Sequence, residues 1–209
     1  MNSFLTTSAF PCPRKVLAWV GLILLGQLVT AGSGQAAVVP VDLYLRSGSL
    51  TTVDGTALPV MCFTLEAAGP ATLDGLSLTL DAGDLLSVTL HNQDTAPHGL
   101  EVVGIGGQDS SVPAGGSQTF EFSFPDAGTW LLRDPVDYPV NVGLGLTAAV
   151  IVRDPGSAHD AEFLWFLEEH SQEWAAAHEA GQPVDTATYR PSYFTINGRS
   201  GTETSTDPR

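Results

Sequence analysis

The chain has 209 residues, with 23 Asp or Glu against eight Lys or Arg and a formal net charge of −15. That length bounds it to one domain or two. An acidic surface repels a phosphate backbone, which sets nucleic acid aside as a partner and leaves solubility as the plain role of the charge.

The first stretch reads as a targeting segment. Arg14 and Lys15 precede an uncharged apolar run from Val16 to Thr30, and Ser33-Gly34-Gln35-Ala36-Ala37 then supplies small residues. Basic, apolar and small, in that order, is the pattern of an export signal cleaved near Ala36 or Ala37. The run is shorter than the ~20 residues a spanning helix needs. Residues 1–37 are therefore expected to be a signal peptide, with the mature chain periplasmic or secreted and without an integral membrane segment. Its removal takes two of the eight basic residues and no acid, leaving six arginines, no lysine and a net charge of about −17. Cys12 leaves as well, so Cys62 has no intrachain disulfide partner. Within Val60-Met61-Cys62-Phe63, it is expected to be a buried, inert thiol.

From Val41 to Val152 short strands alternate with turn signals. Val41, Leu43 and Leu45 alternate with polar neighbours, and Asp54-Gly55 marks a turn between Leu50–Val53 and Ala57–Leu65. Leu76, Leu78 and Leu80 form a second alternating set. Leu86, Val88 and Leu90 form a third, and Phe120, Phe122 and Phe124 a fourth. A period of two puts one face inward and one in water, as in antiparallel sheets. Several such strands at regular spacing predict an all-β sandwich.

Beyond Asp154-Pro155-Gly156-Ser157 the pattern changes. Phe163–Leu167 is a compact apolar run expected to form a strand. Ser171 is suited to cap a short helix over Gln172–Ala180, stopped by Gly181 and Pro183. If Ser171 is the cap, His170 and His178 do not share one helix face, so a shared metal is not expected there. Glu168 and Glu169 are adjacent on a strand and point to opposite faces, which makes them poor partners for acid–base work. Gly143-Leu144-Gly145-Leu146-Thr147-Ala148 has the letters of a dinucleotide loop but opens an apolar strand rather than a helix. No nucleophile elbow, Walker loop, zinc-protease or EF-hand motif occurs.

Three stretches resemble the first cupredoxin (plastocyanin-like) domain of the multicopper oxidases. The first is Gly83–Asn92 followed by Pro97-His98-Gly99-Leu100. The second is Gly128-Thr129-Trp130-Leu131-Leu132-Arg133-Asp134-Pro135, continuing through Pro139-Val140-Asn141 to Leu146. The third is Phe163–Gly198, ending in Tyr193-Phe194-Thr195-Ile196-Asn197-Gly198, similar to the family's inter-domain connector. The resemblance implies a Greek-key cupredoxin-like β-sandwich over residues 38–155. It also implies a C-terminal extension over 156–209 that carries a strand and a short helix.

The same resemblance implies degenerate copper ligands. The family's H-x-H pair falls at Glu101 and Val103, and the histidine of its "YHDP" segment falls at Arg133. Valine has no lone pair for a metal, and a guanidinium is a permanent cation with none to give. Cys62 lies upstream of His98, outside the Cys-His-Met loop of a blue copper site. His98 remains the candidate metal residue, with copper its possible ion. Arg133 and Asp134 can pair with each other or with neighbours, turning a vacated copper place into a polar core or binding surface. His91, on the outward face of its strand, is expected to be solvated.

Two functions follow as expectations. One is an exported binding or assembly module with most copper ligands lost, docking another cupredoxin chain or a homo-oligomer. The other is a copper-dependent oxidoreductase subunit whose site is completed by a partner chain. The substitutions at Glu101, Val103 and Arg133 separate them.

Overall fold

The computed structural model describes residues 36–107, 111–158 and 160–201, all within one compact unit that begins at Gln35. Residues 1–35 of the expected export signal, and His159, lie outside the described residues. Among the described residues no helix is long and apolar enough to cross a membrane.

The elements in chain order are β1 (Val38–Thr51), β2 (Ala57–Thr64), β3 (Ser77–Asp81), β4 (Leu85–Asn92), β5 (Glu101–Val102), β6 (Gly106–Gly107), β7 (Ser117–Ser123) and β8 (Gly128–Arg133). They continue with α1 (Val140–Gly143), β9 (Thr147–Arg153), β10 (Leu167–His170), α2 (Gln172–Glu179) and β11 (Tyr193–Ile196). One sheet has the order β2-β1-β4-β7 and a second β3-β9-β8-β5-β6, and β10 and β11 form a separate two-stranded ribbon. This is the expected cupredoxin-like β-sandwich with a short C-terminal helix.

Alternation builds it. In β4 every second residue (Leu86, Val88, Leu90, Asn92) is buried, and in β7 Phe120 and Phe122 are. β4 and β7 pair antiparallel with Val88 opposite Phe120, so both apolar rows enter the same core. Leu43 and Leu45 of β1 meet them there, and β8 and β9 contribute Leu132, Ala148 and Val150 from the second sheet.

β1 is one 14-residue strand where the sequence suggests two. Its first half pairs parallel with β4 and its second half antiparallel with β2. Two ladders in succession keep its backbone hydrogen-bonded through the polar stretch Arg46–Ser49, where side-chain alternation fades. Gly145 is required at the entrance to β9. It sits at φ +111°, and a Cβ there would lie 2.6 Å from the Met61 carbonyl oxygen and from Leu73.

The C-terminal segment departs from expectation in one place. Residues 161–166 form no strand, and the strand begins only at Leu167. No neighbouring strand offers these residues a ladder. Phe166 and Asn197 instead exchange bonds: the Phe166 amide donates to Asn197 Oδ1 and the Asn197 amide to the Phe166 carbonyl, both at 2.8 Å. The helix matches its expectation. The Ser171 hydroxyl accepts from the Trp174 amide at 3.3 Å, and α2 follows.

Candidate functional site: a histidine held between two carboxylates

The loop after β4 is shaped by a buried asparagine. Asn92 donates through Nδ2 to the carbonyls of Ala96 (2.7 Å) and Val112 (3.0 Å) and accepts the Asp94 amide at 2.9 Å. This fold-back brings Asp94 beside His98. The His98 backbone is clamped to Val112 by bonds in both directions. His98 therefore enters the interior on a fixed backbone, with 1% of its surface exposed.

Both ring nitrogens meet carboxylates there. His98 Nδ1 lies 2.6 Å from Asp134 Oδ2, and Nε2 lies 3.0 Å from Asp94 Oδ2. Asp134 follows β8 directly and is fully buried. Its Oδ1 accepts the Gly99 and Val136 amides at 3.0 and 2.9 Å, and its Oδ2 also accepts Asn141 Nδ2 at 2.8 Å. Asn141, on α1, also donates to the Val136 carbonyl at 2.7 Å. Two pairs of residues, Asp94 with His98 and Asp134 with Asn141, thus meet across 36 residues of chain to close one hydrogen-bonded knot.

Electrostatics keep the ring charged. Burial alone would lower the His98 pKa, but the bonds to Asp134 and Asp94 outweigh it and raise the pKa above the ordinary imidazole value. For Asp94, burial opposes the charge, yet the His98 bond and nearby amides hold the carboxyl below its usual range. An imidazolium donating from both nitrogens satisfies both acids.

The expected ligand places lie beside this knot. Glu101 on β5 pairs in register with Arg133 on β8, and Arg133 Nε lies 2.5 Å from Glu101 Oε1. The guanidinium also sits 4.2 Å from the centre of the Tyr138 ring. Glu101 is half-buried and ion-paired. Val103 is exposed. Arg133 and Asp134 do not pair with each other; they turn to Glu101 and His98 respectively.

The other expectations resolve simply. His91 is not merely solvated: it bonds Asp42 and Ser117, each at 2.8 Å, and stacks on Tyr44 with ring centres 4.5 Å apart. Cys62 is buried, and burial pushes its thiol up to about 11. The residues the sequence did not single out are Asp94, Asn141 and Tyr138. Asp94 had one available signal, its position four residues before His98.

The gathered donors bear on copper chemistry. A blue copper site takes a thiolate, two imidazoles and a weak axial ligand. Here one imidazole has both nitrogens committed, and its companions are two carboxylates and an amide. Among the described residues no group of three or more His, Cys, Asp or Glu is arranged to hold a metal ion. This donor set does not fit copper.

No protein-family model matches the chain, and no curated protein matches it. Solved structures do. It aligns with a multicopper oxidase from Pseudomonas thermotolerans at TM-score 0.63 and 19% identity, over 79% of this chain and 42% of that one. The fold is that of the multicopper oxidases' cupredoxin domains. A blue copper oxidase from Nitrosomonas europaea aligns at TM-score 0.63 and 19% identity over 77% of this chain and 54% of its own. A copper nitrite reductase from the same organism aligns at 0.58 and 17%, over 77% and 56%. The chain spans about half the length of the structures it matches.

Proposed function

We propose that this protein is an exported, multicopper-oxidase-like cupredoxin domain whose copper ligands are mostly lost and which serves as a binding or assembly module. The observation that carries the reading is His98. Its two nitrogens are the only imidazole donors in the knot, and each already bonds a carboxylate. Binding copper there requires stripping a proton from an imidazolium that two acids stabilise, and breaking a buried ion pair. The Glu101–Arg133 pair adds a fixed cation where a second imidazole would be needed.

The assembly role rests on the β10–β11 ribbon. Leu167 stands opposite Ile196 and Glu169 opposite Phe194, so these four share one face. Leu167 and Phe194 are 71% and 64% exposed, and Trp165, two residues before Leu167, is 70% exposed. Such a row of large apolar side chains suits a protein partner. A second copy is a poor occupant, because two bodies of this acidity repel. A different cupredoxin chain is the occupant we infer, since the structures of this fold are about twice the length that this chain covers.

Two experiments test this. The purified chain is loaded with Cu²⁺ and desalted, and its copper is measured by elemental analysis and electron paramagnetic resonance. Bound copper far below one per chain is expected; near-stoichiometric copper lost in His98→Ala overturns the reading. A photo-crosslinking residue in place of Phe194, introduced in the native host, is expected to capture a cupredoxin-fold chain. Crosslinking to its own copy, or to nothing, removes the assembly role.

A further inference from the structure

A cavity of about 380 Å³ opens between α1, β10, α2 and the turn carrying Tyr189, and none of its lining residues belongs to the His98 knot. Its size falls within the range of small-molecule sites. Val142, Phe166, Trp174 and Tyr189 supply apolar wall, and the rings of Trp174 and Tyr189 meet edge-on at 4.5 Å. Its titratable groups are Glu168, Glu169, His170 and Tyr189, and no lysine or arginine lines it.

Glu168 sets the chemistry of this wall. It lies on the inner face of β10, opposite Thr195, and one carboxyl oxygen accepts the Thr147 hydroxyl at 3.2 Å. Its other oxygen is buried without a partner. Behind it, Cys62 and Asp74 border a polar space of about 10 Å³, room for a single water. Among the described residues, no cation pairs with this carboxyl. His170, two residues on, bonds Thr195 Oγ1 at 3.1 Å, and burial drives its pKa down to about 4, so it is neutral at pH 7.

We propose that this cavity binds a small apolar amine as its ammonium ion, with Glu168 as counter-ion and Trp174 and Tyr189 as aromatic wall. An anionic ligand would meet the Glu168 carboxylate and no lysine or arginine. A neutral donor could satisfy the partnerless oxygen of Glu168 but would leave its charge without a counter-ion. An ammonium supplies the missing donor and positive charge together, and aromatic faces favour cations. The acidic surface raises the local concentration of cations around the opening.

Benzylamine is the probe, titrated calorimetrically into the full chain at pH 8 and at pH 6, with benzyl alcohol and benzoate as controls. Burial pushes the Glu168 carboxyl up to about 7. Below that value the ammonium must displace a proton, so binding is expected to be weaker at pH 6 and its heat to depend on the buffer's ionisation enthalpy. Glu168→Gln is expected to weaken benzylamine by about 10–100-fold, the scale of one charge-assisted hydrogen bond, and to abolish the buffer dependence. Val142→Trp, which leaves Glu168 intact and fills the space, is expected to block binding and keeps the proposal testable if the glutamine variant fails to fold. Equal binding of benzyl alcohol, any preference for benzoate, unchanged affinity in Glu168→Gln, or no benzylamine saturation below about 10 mM overturns the assignment.

Discussion

Replacing Asp134 by alanine tests the His98 knot most directly. Asp134 is fully buried and accepts four hydrogen bonds, from His98 Nδ1, Asn141 Nδ2 and the amides of Gly99 and Val136. Its removal deprives all four donors of that acceptor and leaves an imidazolium short of one counter-ion. Breaking a buried ion pair from one side costs about 3–5 kcal/mol. For a unit of this size that lowers the melting temperature by about 6–20 °C. The loss should also carry a pH signature. The folded pKa of His98 is raised above its unfolded value of about 6.5, so its contribution is complete below pH 6.5 and fades as pH rises through the folded value. The folded pKa of Asp94 is lowered, so its contribution is complete above about pH 4 and fades as acid approaches the folded value. The knot therefore stabilises most between about pH 4 and 6.5. Urea unfolding followed by circular dichroism, repeated from pH 4 to 9, reads both effects. Asp134→Asn keeps an acceptor but not the charge, so it should cost less and flatten the fall at high pH. A cost below about 1 kcal/mol in Asp134→Ala would refute the reasoning, as would a wild-type profile flat from pH 5 to 9.

Three further outcomes are expected. Gly145→Ala should destabilise by at least about 1–3 kcal/mol in thermal unfolding, since alanine at φ +111° is strained and its Cβ collides with the Met61 carbonyl. Ser171→Ala should cost about 1 kcal/mol in the same assay through loss of the α2 cap. At pH 8 the peptide carrying Cys62 should resist iodoacetamide in the native protein and alkylate readily in urea, because burial holds its thiol near 11; rapid native labelling, read by mass spectrometry, would place it on the surface.

Local pattern carried the sandwich, and long-range pairing carried the site. Leu86, Val88 and Leu90, or Phe120 and Phe122, reveal a strand from their own spacing, because the pleat repeats every two residues whatever lies across from it. The knot has no such period. His98 finds Asp134 at a separation of 36 residues, and Asn141 joins from a helix of four residues too short to leave an amphipathic trace. The apolar run from Phe163 to Leu167 misleads for a related reason. Composition marks it as a strand, yet a strand needs a neighbour to accept its ladder, and only Leu167 onward has one in β11. His91 looks solvated on its own strand because Asp42 and Ser117 arrive from the two strands that flank it.

The copper places and the knot are best understood together. The loops after β4 and after β8 and the helix α1 are tied by an imidazolium with carboxylates on two of them and an amide on the third. Glu101 and Arg133 add a second cross-strand tie between β5 and β8, with Tyr138 covering the guanidinium. Each tie pairs its own charges. Both ties are cross-strand bonds between charged groups that lie far apart in sequence, so each holds its loops in place by itself. On that argument His98→Ala should destabilise the metal-free protein about as much as Asp134→Ala, a result that a histidine kept for copper alone would not produce.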